Sequence, residues 1–542
     1  MHFSIVGKTL QHDSYFGNTK QRFQIRFTTN PLVQTESVHP LPSSRWIFRR
    51  STINRRRNFR EQPLLLRSTL IYAPAILLTR ISALLLLVIV TRLIDQTEYG
   101  LLTLVVTVGE MTDIAVTNWL RIALLRLGGK GDISRGSLRL AGRVLLASTA
   151  LALIVSMVAS AVIVPERWVE FAIAVCGYLI AGSIGRFALT VLQMQQRHSV
   201  YSMLEFLRAL LQLALPIGAI AIFQDSFLTV SLGSSLGVLI AGVVAGVMAS
   251  RRVVAGPPRF TQKEFFVLGV PLVIMALVGF GLHSAERLFL KIYYDAGAVA
   301  IFAAAYVLAR QPIDMVANSI NMGAFPEVVS RFDDEGPAAS GRLLSQLMAL
   351  MIRLCLPVAA MLVALSSDIT QLLLPSEYHG RFGLLFPIIA FSVLCANLAS
   401  FVYGTVVHAH KRPWLLIIAN SFGSVATIAL SVLLIPPMAE VGAALALAGG
   451  SLVGLVACII ISERLTPVPV PWRDIGVSIV ISLGTGLAAS LASAVFGNVP
   501  AIFPLVAGGT AGAVVFLGLT WLFYPAAAMQ LVAKLRARLR LA

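Results

Sequence analysis

From about residue 66 onward the chain is a succession of apolar runs, each roughly 20 residues long, separated by short polar connections. A run of that length crosses a hydrocarbon layer about 30 Å thick as an α-helix. The runs predict spans at roughly 68–90, 99–120, 138–164, 168–192, 201–223, 227–249, 265–288, 298–324, 343–365, 382–407, 414–435, 441–461, 475–496 and 501–523, about fourteen in all. The expected fold class is an all-α polytopic membrane protein, with connections too short to hold a soluble domain.

The connections test this numbering independently, because Lys and Arg concentrate in the cytoplasmic loops of a membrane protein. One alternate set carries Arg121, Arg126, Lys130, Arg135 and Arg139, then Arg251, Arg252, Arg259 and Lys263, then Lys411 and Arg412, then Arg464 and Arg473. The other set has little beyond Arg92, Arg167, Arg287, Lys291 and Arg381. An even number of spans with both termini cytoplasmic follows. The formal net charge of +18 is therefore mainly a topology signal, with some attraction to anionic headgroups, and no nucleic-acid partner is needed to explain it.

With 57% hydrophobic and 13% charged residues, the chain lacks the polar side chains to cover a soluble globule. Residues 1–62 differ: they are polar and Arg-rich, with no apolar segment for a signal peptide. A disordered cytoplasmic tail, a transit peptide and a mis-called start codon are the alternatives. Cys176, Cys355, Cys395 and Cys458 all fall in apolar runs without a pairing motif, so they read as packing, and neither disulfides nor a metal site is expected. Glycines four apart, such as Gly233 with Gly237 and Gly450 with Gly454, suit close helix packing.

The candidate chemistry lies in charges at bilayer depth. Arg80, Arg186, Arg208, Arg310 and Arg353 fall within spans, and each costs about 2.5 to 3.5 kcal/mol at a helix centre unless protein or water receives it. Arg186 and Arg208 are close enough to span ends to snorkel, Arg208 with Glu205 as partner. Arg80, Arg310 and Arg353 are near mid-span and point to a polar cavity. In the eighth span Tyr306, Arg310, Asp314, Asn318 and Asn321 share one helical face; in the second, Thr103, Thr107, Glu110, Asp113, Thr117 and Arg121 do the same. The structural alternative is that Arg310 and Asp314, four apart, satisfy each other in a packed bundle. Aligning Gly100 with Ala300 superposes Asn118 on Asn318 and Glu110 on Arg310, as expected of a duplicated transporter whose halves face a central cavity. His283 and Glu286, one turn apart late in the seventh span, read equally as a proton relay or an interfacial hydrogen bond. No P-loop, G-x-S-x-G or dinucleotide fingerprint occurs, so neither a cofactor nor enzymatic activity is expected.

Three segments, Thr91 to Leu102 (TRLIDQTEYGLL), Arg287 to Arg310 (RLFLKIYYDAGAVAIFAAAYVLAR) and Phe325-Pro326 with Arg331, resemble the multidrug/oligosaccharidyl-lipid/polysaccharide exporter superfamily, in particular its polysaccharide and O-antigen flippases. The resemblance covers roughly residues 66–525. It implies six-helix bundles over 66–255 and 260–465, two additional helices over 470–525 and a basic cytoplasmic tail over 526–542 in a bacterial inner membrane. It also implies transport of polyprenyl-diphosphate-linked oligosaccharide by alternating access, with membrane lipids as surroundings and polysaccharide assembly proteins open as partners. Arg80 and Arg310, with Arg353, are the implied contacts for the anionic carrier, and Glu110, Asp113, Asp314, His283 and Glu286 the candidates for ion coupling. A drug/cation antiporter of the same superfamily, a membrane glycan polymerase or ligase using Asp368, Glu377 and His379, and an assembly scaffold are the competing readings.

Overall fold

The computed structural model describes residues 81–127, 133–496 and 499–525. The chain divides after Glu61 into two units, and every described residue belongs to the second. The described residues are helical almost throughout, joined by turns and an isolated bridge between Ser134 and Val254. Among the described residues, ten helices are long and apolar enough to cross a membrane.

Helix α1, described over Ile81–Leu93, leads into α2 (Gln96–Asp113), which continues through a π-helical turn, Ile114–Asn118, into α3 (Trp119–Leu127). Then come α4 (Arg135–Ile163), α5 (Trp168–Met194), α6 (His198–Ile222) and α7 (Phe227–Ser250). The second part contains α8 (Gln262–His283), α9 (Ala285–Tyr293), α10 (Ala296–Glu335), α11 (Pro337–Ala364) and α12 (Ser366–Leu373). It continues with α13 (Phe382–Asn397), a second π-helical segment (Leu398–Tyr403), α14 (Gly404–Ala409), α15 (Trp414–Glu463), α16 (Trp472–Val495) and α17 (Ile502–Phe523).

Side-chain placement follows the physics of a lipid solvent. Helix α4 buries Ser148, Ala152, Ser156 and Ser160 at four-residue intervals, while Ile154, Val158 and Val162 are more than 60% exposed. Small groups inside and large apolar groups outside suit helices held by close van der Waals contact, since lipid supplies no hydrophobic drive for their association. The serines spend their hydroxyls on their own helix, Ser160 donating to the Ser156 carbonyl at 2.6 Å. The glycine pairs read from the sequence serve the same packing: Gly233 and Gly237 of α7 receive the backbone of α6 at Pro216 and Leu211.

Two departures from the expected spans have local causes. Pro436 and Pro437, followed by Ala439 at φ 48°, fold α15 back on itself, so that Gly442 packs against the Leu434 carbonyl and Gly450 against Thr427. The two runs expected at 414–435 and 441–461 are thus the arms of a hairpin. Helix α10 runs past the expected end near 324 to Glu335, because its last turns are polar, with Glu327 and Arg331 paired at 3.1 Å.

The segment from α1 to α7 touches the segment from α8 to α15 at both of its ends. Where α2 and α10 begin, both are N-capped by aspartates 200 positions apart, Asp95 and Asp295. There Gly100 lies so close to Ala296 that an added Cβ would stand 1.7 Å from the Ala296 carbonyl oxygen, a crossing open only to glycine. Gln96 donates to the Gly297 carbonyl at 3.4 Å, Arg92 to the Leu372 carbonyl, and the Tyr99 and Tyr378 rings meet edge-on. At the opposite end Trp119 of α3 packs on Phe266 of α8.

Candidate functional site

A cavity of about 480 Å³ opens among α1, α2, α5, α6 and α7. It lies along the middle of these helices, with Ser82 on α1, Glu110 on α2, Tyr178 and Arg186 on α5, Arg208 and Gln212 on α6 and Ser235 on α7. Arg121 reaches it from α3.

Asp113 lies behind this wall and anchors two of its arginines. Its side chain is 7% exposed and faces Arg186 at 2.9 Å and Arg121 at 3.5 Å, while the Thr117 hydroxyl also donates to it. The π-turn makes the double pairing possible. In a regular helix, eight residues turn the chain through about 800°, which would aim Arg121 roughly 80° away from Asp113. The π-turn absorbs one extra residue, so Asp113 and Arg121 return to within about 20° of the same face. Arg186 in turn folds back over Gly182, where a Cβ would lie 2.2 Å from its Nη2, and its guanidinium sits 5.7 Å from the Tyr178 ring centroid. Nε of Arg121 and Nε of Arg186 are buried without a hydrogen-bond acceptor among the described residues, while Nη2 of Arg186 is the atom that faces Asp113. Arg208 is committed to Glu205 at 2.7 Å and to Gln212 at 2.8 Å. Glu110 faces the cavity without an ion pair or hydrogen bond among the described residues.

The candidates expected from sequence are therefore distributed over several places. Glu110 lines this cavity, and Asp113 stands behind it, paired with two of its arginines. Arg310 is elsewhere, on α10, where Nε donates to Asp314 at 2.8 Å and a second nitrogen to Tyr306; Asp314 also accepts from Asn397 at 3.0 Å. The Arg310 side chain remains 39% exposed. Arg353 pairs with Asp474 of α16 at 2.6 Å beneath the Tyr524 ring, joining α11 to the last two helices. Glu286 is fully buried and its carboxylate oxygens have no hydrogen-bond partner among the described residues; its neighbour Arg287 lies over the Tyr306 ring. Arg80 lies outside the described residues, as does the side chain of His283.

Sequence reasoning assigned Arg186 and Arg208 to span ends and counted Arg121 both among the loop cations and on the polar face of the second span; the structure brings all three to one chamber. The available signal was the acidic set on α2, Glu110 and Asp113, which needs cations from neighbouring helices. In the connection considered for glycan polymerisation, Asp368 accepts from Ser493, Arg381 pairs with Glu440, and His379 bonds the Leu374 carbonyl. These groups hold the loop together.

The polysaccharide biosynthesis protein family matches residues 65–332. No curated protein sequence matches the chain significantly. Among solved structures, that of the lipid II flippase MurJ in an inward closed conformation aligns with a TM-score of 0.61 at 15% identity, covering 84% of this chain and 99% of that one. An inward-facing multidrug resistance MATE family transporter of the MOP superfamily aligns with a TM-score of 0.52 at 12% identity, covering 71% and 94%. The match over residues 65–332 and the shared helical architecture make this chain a multi-pass membrane protein whose fold is similar to that of these transporters.

Proposed function

We propose that the chain is a flippase that carries polyprenyl-diphosphate-linked oligosaccharide across the bacterial inner membrane for surface polysaccharide synthesis, with both termini cytoplasmic. The observation that carries this reading is the chamber with Arg121, Arg186 and Arg208 on its wall, the single carboxylate Asp113 being shared by two of them. Diphosphate oxygens stripped of water need such donors, and planar guanidinium groups match them in geometry. Gln212, Ser234 and Ser235 offer hydrogen bonds to sugar hydroxyls on the same wall. A chamber of this volume holds the headgroup region, while the prenyl chain stays in lipid.

Movement is by alternating access, the α1–α7 segment rocking against α8–α15. The crossing of Gly100 on Ala296 and the Gln96 to Gly297 bond form the outer gate and part when the substrate leaves. Arg310, partly exposed beside its Asp314 partner, serves the substrate on the opposite side of the path, and Arg353 contributes through the seating of α16 and α17. Buried Glu286, with His283 one turn before it, is the best placed group for ion coupling. Polysaccharide assembly proteins are the natural partners of such a carrier. A drug/cation antiporter would draw on Glu110 as well, but the guanidinium groups on the same wall favour a cargo that carries phosphate oxygens.

Arg186→Ala and Arg310→Ala, each in cells lacking the native copy, are expected to abolish surface glycan at unchanged protein level. Normal glycan in the Arg186 variant overturns the assignment of the chamber.

A further inference from the structure

Among the described residues, the charges around the chamber balance. Three guanidinium groups on the wall, Arg121, Arg186 and Arg208, are matched by three carboxylates, Glu110 and Glu205 on the wall and Asp113 behind it. Glu205 is taken by Arg208, and Asp113 is shared by Arg121 and Arg186. Glu110 alone has no partner among the described residues. A diphosphate diester brings about two further negative charges. Entering alone, it would leave the chamber with that excess at bilayer depth, beside a bare carboxylate that repels it. Protonating Glu110 removes only one of the two charges. A divalent cation removes both.

We propose that the chamber takes its diphosphate headgroup together with a divalent cation, held between the Glu110 carboxylate and the diphosphate oxygens. The inference rests on the flippase reading above and specifies the form in which its substrate binds. Magnesium is commonly bound in this manner, by one or two carboxylates together with substrate phosphates and retained waters, without an all-protein cage. That habit suits a site offering one free carboxylate. The division of labour is then clear: the guanidinium groups of Arg121 and Arg186 on the wall hold phosphate oxygens, and Glu110 holds the cation. The unpaired carboxylate, unhelpful to a bare anion, becomes the feature that selects the metal complex over free phosphates.

The test is binding of a farnesyl-diphosphate-linked N-acetylglucosamine to the purified full-length protein, titrated in EDTA and in millimolar MgCl2. For the unaltered protein, affinity should rise about tenfold or more with magnesium. Glu110→Gln should lose most of that response, and Glu110→Asp, which keeps the charge, should retain it; equal elution profiles establish that the variants are folded. A full magnesium response in Glu110→Gln overturns the proposal, because the metal would then act on the probe in solution alone. So does an affinity that ignores magnesium but rises on acidification in EDTA, which would make Glu110 a proton site. Tight binding insensitive to both leaves the flippase reading standing and removes the cation; no binding under any condition removes the flippase reading itself.

Discussion

The shared carboxylate at Asp113 makes a quantitative prediction about Arg121 and Arg186. Arg186→Ala removes the 2.9 Å partner, yet Asp113 keeps Arg121 at 3.5 Å and the Thr117 hydroxyl. The carboxylate is still paired, and with both arginines about a quarter exposed to the chamber the loss is that of a partly screened ion pair, about 1 kcal/mol. Arg121→Ala costs about the same by the same reasoning. Removing both leaves a carboxylate that is 7% exposed with only a hydroxyl donor, and an orphaned buried charge costs about 3 to 5 kcal/mol. The double variant should therefore fall below the sum of the singles by about 1 to 3 kcal/mol. Adding Asp113→Asn to the double variant removes the orphaned charge and should recover most of that deficit. Three cysteines, Cys355, Cys395 and Cys458, are buried, so a thiol-reactive dye reports unfolding in detergent. Strictly additive shifts in Tm, or a triple variant no more stable than the double, would refute the idea that one carboxylate organises both cations.

Two other outcomes follow from the packing. Gly100→Ala places a Cβ against the Ala296 backbone, which cannot yield as a side chain could, so the starts of α2 and α10 must separate. In a cysteine-free background, a cysteine at buried Thr103 should then react severalfold faster with an impermeant maleimide added from outside; an unchanged rate contradicts the gate. Arg353→Ala and Asp474→Asn should each lower stability by about 1 to 2 kcal/mol through loosened seating of α16 on α11, with the variant pair non-additive. Additive losses measured by the same dye would mean that the contact is incidental.

The site shows where reading from sequence stops. Glu110 and Asp113 were visible as a polar stripe on one helix, since both lie on a single 3.6-residue period. Their partners come from α3 and α5, and no local pattern relates Arg186 to a residue 73 positions earlier. Arg353 stood out as a mid-span charge, but its partner Asp474 lies 121 positions away on a helix read as an appendage. For Arg310 the i,i+4 alternative was legible, and the pair with Asp314 formed.

By itself the chain determined which segments are helical and apolar enough to span, where proline pairs break them and which aspartates cap them. Those properties depend on the residues within each segment and on lipid, which demands that every backbone group be satisfied locally. Tertiary structure decided which buried charges meet, because pairing across helices depends on azimuth and depth. At Asp113 a single π-turn of five residues, Ile114–Asn118, rotated the following helix enough to bring a second arginine to the same carboxylate.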